Sequence, residues 1–180
     1  MIDAVAVGEV TPGYELWHPN REKPEVVTTK FVTVFLMLAT AAVAALIAIG
    51  GWSLLSGGGG MGLVCLIYAG LYVLFAYRTA RWSRGALPVA AALSMILAIF
   101  CAVGANSWFA RDKDGFEEAL LPVPLVGLLV LILLLLQILL IAAAAYAFNQ
   151  DWHVEEERPI GSGEDYGAGA PPENGAAQPA

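Results

Sequence analysis

The chain has 180 residues, 58% hydrophobic and 14% charged, with nine Lys and Arg against sixteen Asp and Glu. Usage this apolar lies outside that of soluble globular domains, and the charges fall almost entirely outside four long apolar runs, so the composition points to a multi-pass membrane protein. A net charge of −7 argues against a nucleic-acid partner, whose footprint is a basic patch.

Residues 1–30 contain Pro12, Gly13, Pro19 and Pro24, punctuation that opposes a long regular element, so an extended lead-in resting on lipid headgroups through Trp17 is expected. The leader is acidic and lacks a basic start, which argues against a cleaved signal peptide. The first apolar run covers 31–55 without a charge, and about 25 residues rising ~1.5 Å each suffice for a ~30 Å hydrocarbon core. Glycines 57–60 make a flexible reversal, with no Lys-Ser/Thr after them to form a phosphate loop. The second run, 61–77, is at the short limit for a span and must stand nearly upright or borrow a turn from its flanks, with Arg78 snorkelling to the headgroups. A third run covers 86–104. The fourth, 121–148, is the longest and richest in leucine, and Pro122 and Pro124 suit its first turn, where a missing amide hydrogen does least harm. The expected fold is an all-α bundle of four transmembrane helices with a disordered acidic C-terminal tail.

Cytoplasmic loops carry the excess of Lys and Arg. Arg21, Lys23, Lys30, Arg78, Arg81, Arg84 and Arg158 fall on one side of the four runs, and only Arg111 and Lys113 on the other. Both termini are therefore expected in the cytoplasm, with loop 105–120 outside a plasma membrane, and Trp52, Trp82, Trp108 and Trp152 near the interfaces. The segment 149–180 sets one Arg against seven acids, and from residue 161 it reads as disorder, either a solubilising end or an acidic interaction tail.

No Asp, Glu, Lys, Arg or His lies within the four runs, which argues against ion-coupled transport and intramembrane proton relays. His18 and His153 sit in polar flanks, so no haem ligand is available at depth. Neither a catalytic constellation nor a metal or cofactor motif is found. The Asp112-Lys113-Asp114-Gly115 stretch fails as a calcium loop, because that register puts Ala110 and Leu121 at ligand positions. Gln137 is the one amide at mid-depth and is expected to face a neighbouring helix, either as interhelical glue or, with Thr33, Thr40 and Ser94, as sparse pore lining. Ala90, Ser94, Ala98 and Ala102 recur every fourth residue, and Ala41 with Ala45 and Ala44 with Ala48 repeat the device, so the first and third helices are expected to pack most closely. Cys65 and Cys101 lie at matching depth, where a disulfide is possible if their faces oppose and simple apolar packing is the alternative. Arg78, Arg81 and Arg84 are expected as headgroup anchors along one face of a continued helix.

The run Gln137-Ile138-Leu139-Leu140-Ile141, leading into Phe148-Asn149-Gln150-Asp151-Trp152-His153-Val154-Glu155, resembles the ending of small four-span membrane proteins of high-GC Gram-positive (actinobacterial) bacteria. The similarity covers residues 105–157, including the acidic Trp-Phe loop. It implies a four-span membrane fold, and it transfers no functional residue because those proteins carry no assigned activity. The leading expectation is a non-catalytic accessory or scaffolding subunit in the lipid bilayer, partnered by another membrane protein or by its own copies. The alternatives are an oligomeric passive channel and an envelope or lipid-interacting factor acting through the three arginines. An enzyme ranks last, for want of a nucleophile, base and orienter.

Overall fold

The computed structural model describes residues 13–55, 60–108 and 119–160. The glycine reversal at 56–59, most of the acidic loop (109–118) and the tail from 161 lie outside the described residues.

The described chain divides into two compact units. One is a two-stranded antiparallel ribbon, β1 (Tyr14–Trp17) with β2 (Glu156–Pro159), so the lead-in and the start of the tail are paired strands. Glu15 stands opposite Arg158, whose Nε bonds the Glu15 carboxylate at 2.7 Å while its guanidinium lies over the Trp17 ring. His18 and Glu155 approach to 3.3 Å beside it.

The second unit, Asn20–His153, is a helical bundle. A short α1 (Pro19–Glu22) leads into α2 (Pro24–Gly50), followed by a 3-10 turn (Trp52–Leu54), α3 (Gly60–Ala80), α4 (Ala86–Trp108) and α5 (Val123–Phe148). The helices α2 to α5 are long and apolar enough to cross a membrane.

Local chemistry explains where the helices differ from the hydropathy bounds. α2 starts at Pro24, not at 31, because proline at the first turn forfeits no hydrogen bond and the Lys23 carbonyl accepts from Val26 and Val27. It stops at Gly50, not at 55. There the Gly51 amide bonds back to the Ile47 carbonyl, and the Leu121 amide bonds the Gly50 carbonyl at 3.0 Å. A Cβ at Gly50 would overlap the Leu121 side chain, so this close approach requires glycine. α3 does borrow flanking turns, running through Arg78 to Ala80. It ends in a Schellman motif: the Ser83 amide bonds the Arg78 carbonyl at 3.0 Å, and the Trp82 amide bonds Thr79 at 3.0 Å. The left-handed residue of that motif is Trp82 (φ 62°), where glycine is usual.

α2 packs along α3 on one side and α5 on the other, α4 packs along α5, and α3 meets α4 only weakly. The cyclic order is therefore α3, α2, α5, α4. The first and third long helices stand diagonally, which corrects the expectation that they pack most closely. The inward stripes follow a heptad: Val126, Val130, Leu133, Gln137, Leu140, Ala144 and Ala147 on α5, and Leu87, Ala90, Ser94, Leu97 and Cys101 on α4, are all buried. Alternating steps of three and four keep one seam facing inward. Steps of four alone drift by about 40° each on a helix of 3.6 residues per turn. Ala90 and Ser94 accordingly lie inside, while Ala98 is half-buried and Ala102 exposed.

The apolar core also encloses polar side chains, while large apolar ones face outward. Thr33, Thr40, Thr79, Ser94 and Gln137 are wholly buried, whereas Phe31, Phe35, Ile99 and Val103 are 63%, 69%, 63% and 75% exposed. Large apolar patches on a surface otherwise mark contact with a partner or with lipid.

Candidate functional site

Each of the four long helices sends one polar side chain to the same central layer. Thr40 comes from α2, Tyr72 from α3, Ser94 from α4 and Gln137 from α5, and all four are fully buried. The Gln137 amide nitrogen donates to Thr40 Oγ1 and to the Leu133 carbonyl, both at 3.3 Å. The Tyr72 hydroxyl donates to Gln137 Oε1 at 2.9 Å. With its single proton so used, Tyr72 accepts from Ser94 Oγ at 2.9 Å. The orientation of the amide follows from Leu133, since a carbonyl only accepts and must face nitrogen. Sequence reasoning found Gln137, Ser94 and Thr40 but missed Tyr72. The signal was the stripe Ala69, Tyr72, Ala76, Thr79, whose steps of three and four place the phenol in the seam.

Between α3 and α4 lies a cavity of about 310 Å³, lined almost wholly by apolar atoms and open on one side. Its walls include Ile47, Tyr68, Leu97, Phe100 and Trp108. Cys65 and Cys101 both line it, and both are free thiols. It occupies the seam where the two helices pack least, between the central layer and the bundle end that carries Leu55 and Met61.

The opposite end is built from aromatic rings and cations. Trp152 is fully buried and meets Trp82 edge to face at 5.4 Å, and Trp152 Nε1 donates to Gln150, whose amide donates to Thr29. Arg21 Nε donates to the Trp152 carbonyl at 3.0 Å, and its guanidinium carbon lies 5.6 Å from the Trp82 ring centre. Lys30 Nζ stands 3.8 Å from the same centre. The three predicted arginines separate instead of sharing a face, because the helix ends at Ala80 and the chain reverses at Trp82. Arg78 is exposed, Arg81 is exposed and bonds the Tyr77 hydroxyl, and Arg84 turns inward to Asp151 at 2.9 Å over the Phe148 ring.

Among the described residues no cluster of three or more His, Cys, Asp and Glu side chains could hold a metal. No family model matches the chain, and neither does any curated protein or solved structure.

Proposed function

We propose that this chain is a multi-pass membrane protein that acts as a non-catalytic accessory or scaffolding subunit, with both termini in the cytoplasm. The observation that carries the reading is the tie of Thr40, Tyr72, Ser94 and Gln137: the polar groups at mid-depth are bonded to one another. Polar side chains bonded across helices in this way act as interhelical glue. The exposed Phe, Leu, Ile and Val of the outer faces favour hydrocarbon surroundings, and the cytoplasmic assignment rests on the side that carries Arg21, Lys23, Lys30, Arg78, Arg81 and Arg84.

The test is crosslinking in native membranes, mild-detergent purification and mass spectrometry of what is retained. A reproducible stoichiometric second protein is the expected result. A lone monomer or homo-oligomer that conducts solute in proteoliposomes, with conduction changed by Gln137→Leu, favours the oligomeric channel and overturns the reading. Labelling of Ile160→Cys from outside intact cells overturns the cytoplasmic assignment.

A further inference from the structure

Two cations converge on one indole at the end of the bundle where α2 begins. Lys30 Nζ is 3.8 Å and the Arg21 guanidinium 5.6 Å from the centre of the Trp82 ring. Among the described residues neither forms an ion pair with a carboxylate within 4.0 Å; the nearby Asp151 pairs with Arg84 at 2.9 Å. Among the described residues Arg21 bonds the Trp152 carbonyl through its Nε, and the guanidinium's terminal nitrogens are further donors. The platform is fixed. Trp82 is locked in a left-handed conformation by the Schellman motif and braced edge-on by the buried Trp152. A bulky side chain at positive φ is a costly arrangement that persists only where surrounding contacts enforce it.

The site also has an apolar side. Lys30 Nζ lies 5.4 Å from the Phe31 ring, and Phe31 and Phe35, one turn apart on α2, are 63% and 69% exposed. An anion bound by Lys30 and Arg21 therefore has beside it an exposed aromatic strip running away from the polar end. The cation–π contacts compensate only part of the two positive charges.

We propose that Lys30 and Arg21, seated on Trp82, bind the phosphate of an anionic phospholipid whose acyl chain lies along Phe31 and Phe35. This rests on the membrane reading above. It differs from the sequence expectation in using these two cations and not the row of Arg78, Arg81 and Arg84.

The experiment is native mass spectrometry of the full chain in detergent, titrated with phosphatidylglycerol, with phosphatidylcholine, and with inorganic phosphate. Retention of phosphatidylglycerol over phosphatidylcholine is expected, weakened about fivefold by either Lys30→Gln or Arg21→Gln. Lys30→Arg keeps it, and Arg81→Gln leaves it unchanged. Thermal unfolding with phosphatidylcholine alone checks that each variant is folded. If Arg21→Gln loses the fold with its bond to Trp152, Lys30→Gln and Lys30→Arg still decide the question. Equal retention of both lipids, or undiminished phosphatidylglycerol retention in Lys30→Gln, overturns the proposal. Displacement by millimolar phosphate overturns the lipid as the source of the anion. Carbonate extraction of cell membranes separates the two readings: a chain released from the membrane pellet refutes the membrane reading, whereas a retained chain without headgroup selectivity refutes this site alone.

Discussion

The Tyr72 hydroxyl reaches Gln137 Oε1 at 2.9 Å from α3 to α5, two helices that stand diagonally in the bundle. Ser94 extends the link to α4 and Thr40 to α2, so every long helix is joined through one buried layer. A polar layer in an apolar bundle fixes register, because sliding any helix by one turn strands a donor or acceptor where water cannot reach it.

Removing either end of the diagonal bond therefore lowers stability. Tyr72→Phe is expected to cost about 1 kcal/mol and Gln137→Leu up to about 2 kcal/mol, the range measured for hydrogen bonds between membrane helices. The double variant should lose less than the sum, since each change already breaks the shared bond. Thermal unfolding in mild detergent of the two single variants and the double variant is the measurement. Strict additivity, or unchanged stability in Gln137→Leu, contradicts the tie.

At the end of α2, Gly50 is predicted to reject a side chain. Its carbonyl accepts from the Leu121 amide at 3.0 Å, and a Cβ would overlap the Leu121 side chain, so Leu121 must be displaced. Gly50→Val should destabilise by about 1–3 kcal/mol, the cost of overpacking. Gly70→Val, where a Cβ meets nothing within 4 Å, is the control and should change stability far less. Equal effects at the two positions contradict the close approach.

Hydropathy located the four long helices because uninterrupted apolar runs are a strong signal, but it could not place their ends. Those depend on Pro24, on the Gly50 contact with Leu121, and on a Schellman motif carrying tryptophan in place of glycine. Gln137 was legible as the one mid-depth amide. Tyr72 was not, since a tyrosine in a long apolar run reads as an apolar residue until the heptad stripe assigns its face. Which helices neighbour one another was beyond the alanine pattern: small residues permit close approach but name no partner. The ribbon of Tyr14–Trp17 with Glu156–Pro159 joins segments from opposite ends of the chain, a pairing that short local windows do not contain.

Asp151 carries two separable features, an ion pair with Arg84 at 2.9 Å and a left-handed backbone at φ 46°. The carboxylate is 59% exposed, so the pair contributes little beyond ~0.5 kcal/mol. Asn tolerates the left-handed region and a β-branched residue does not. Asp151→Asn should therefore be close to neutral and Asp151→Val clearly destabilising in the same unfolding assay. If both lose the same stability, charge and not backbone is what this position supplies.

The Tyr72–Ser94 bond joins α3 to α4, the neighbouring pair that packs least, and the cavity lined by Cys65 and Cys101 opens in the same seam. Ser94→Ala deletes that bond while leaving Tyr72 its donor bond to Gln137, so the fold survives and the seam loosens. Cys101 is 6% exposed in the intact bundle, which makes its thiol a reporter of that loosening. With Cys65 replaced by Ala, a small membrane-permeant maleimide should label Cys101 severalfold faster in Ser94→Ala, in step with more frequent opening, because one lost bond of about 1 kcal/mol shifts a local equilibrium roughly fivefold. The control is Thr33→Ala. The Thr33 hydroxyl bonds the carbonyl of Thr29 within its own helix, so its loss should leave labelling unchanged. Unchanged labelling in Ser94→Ala means that apolar contacts alone hold α3 against α4.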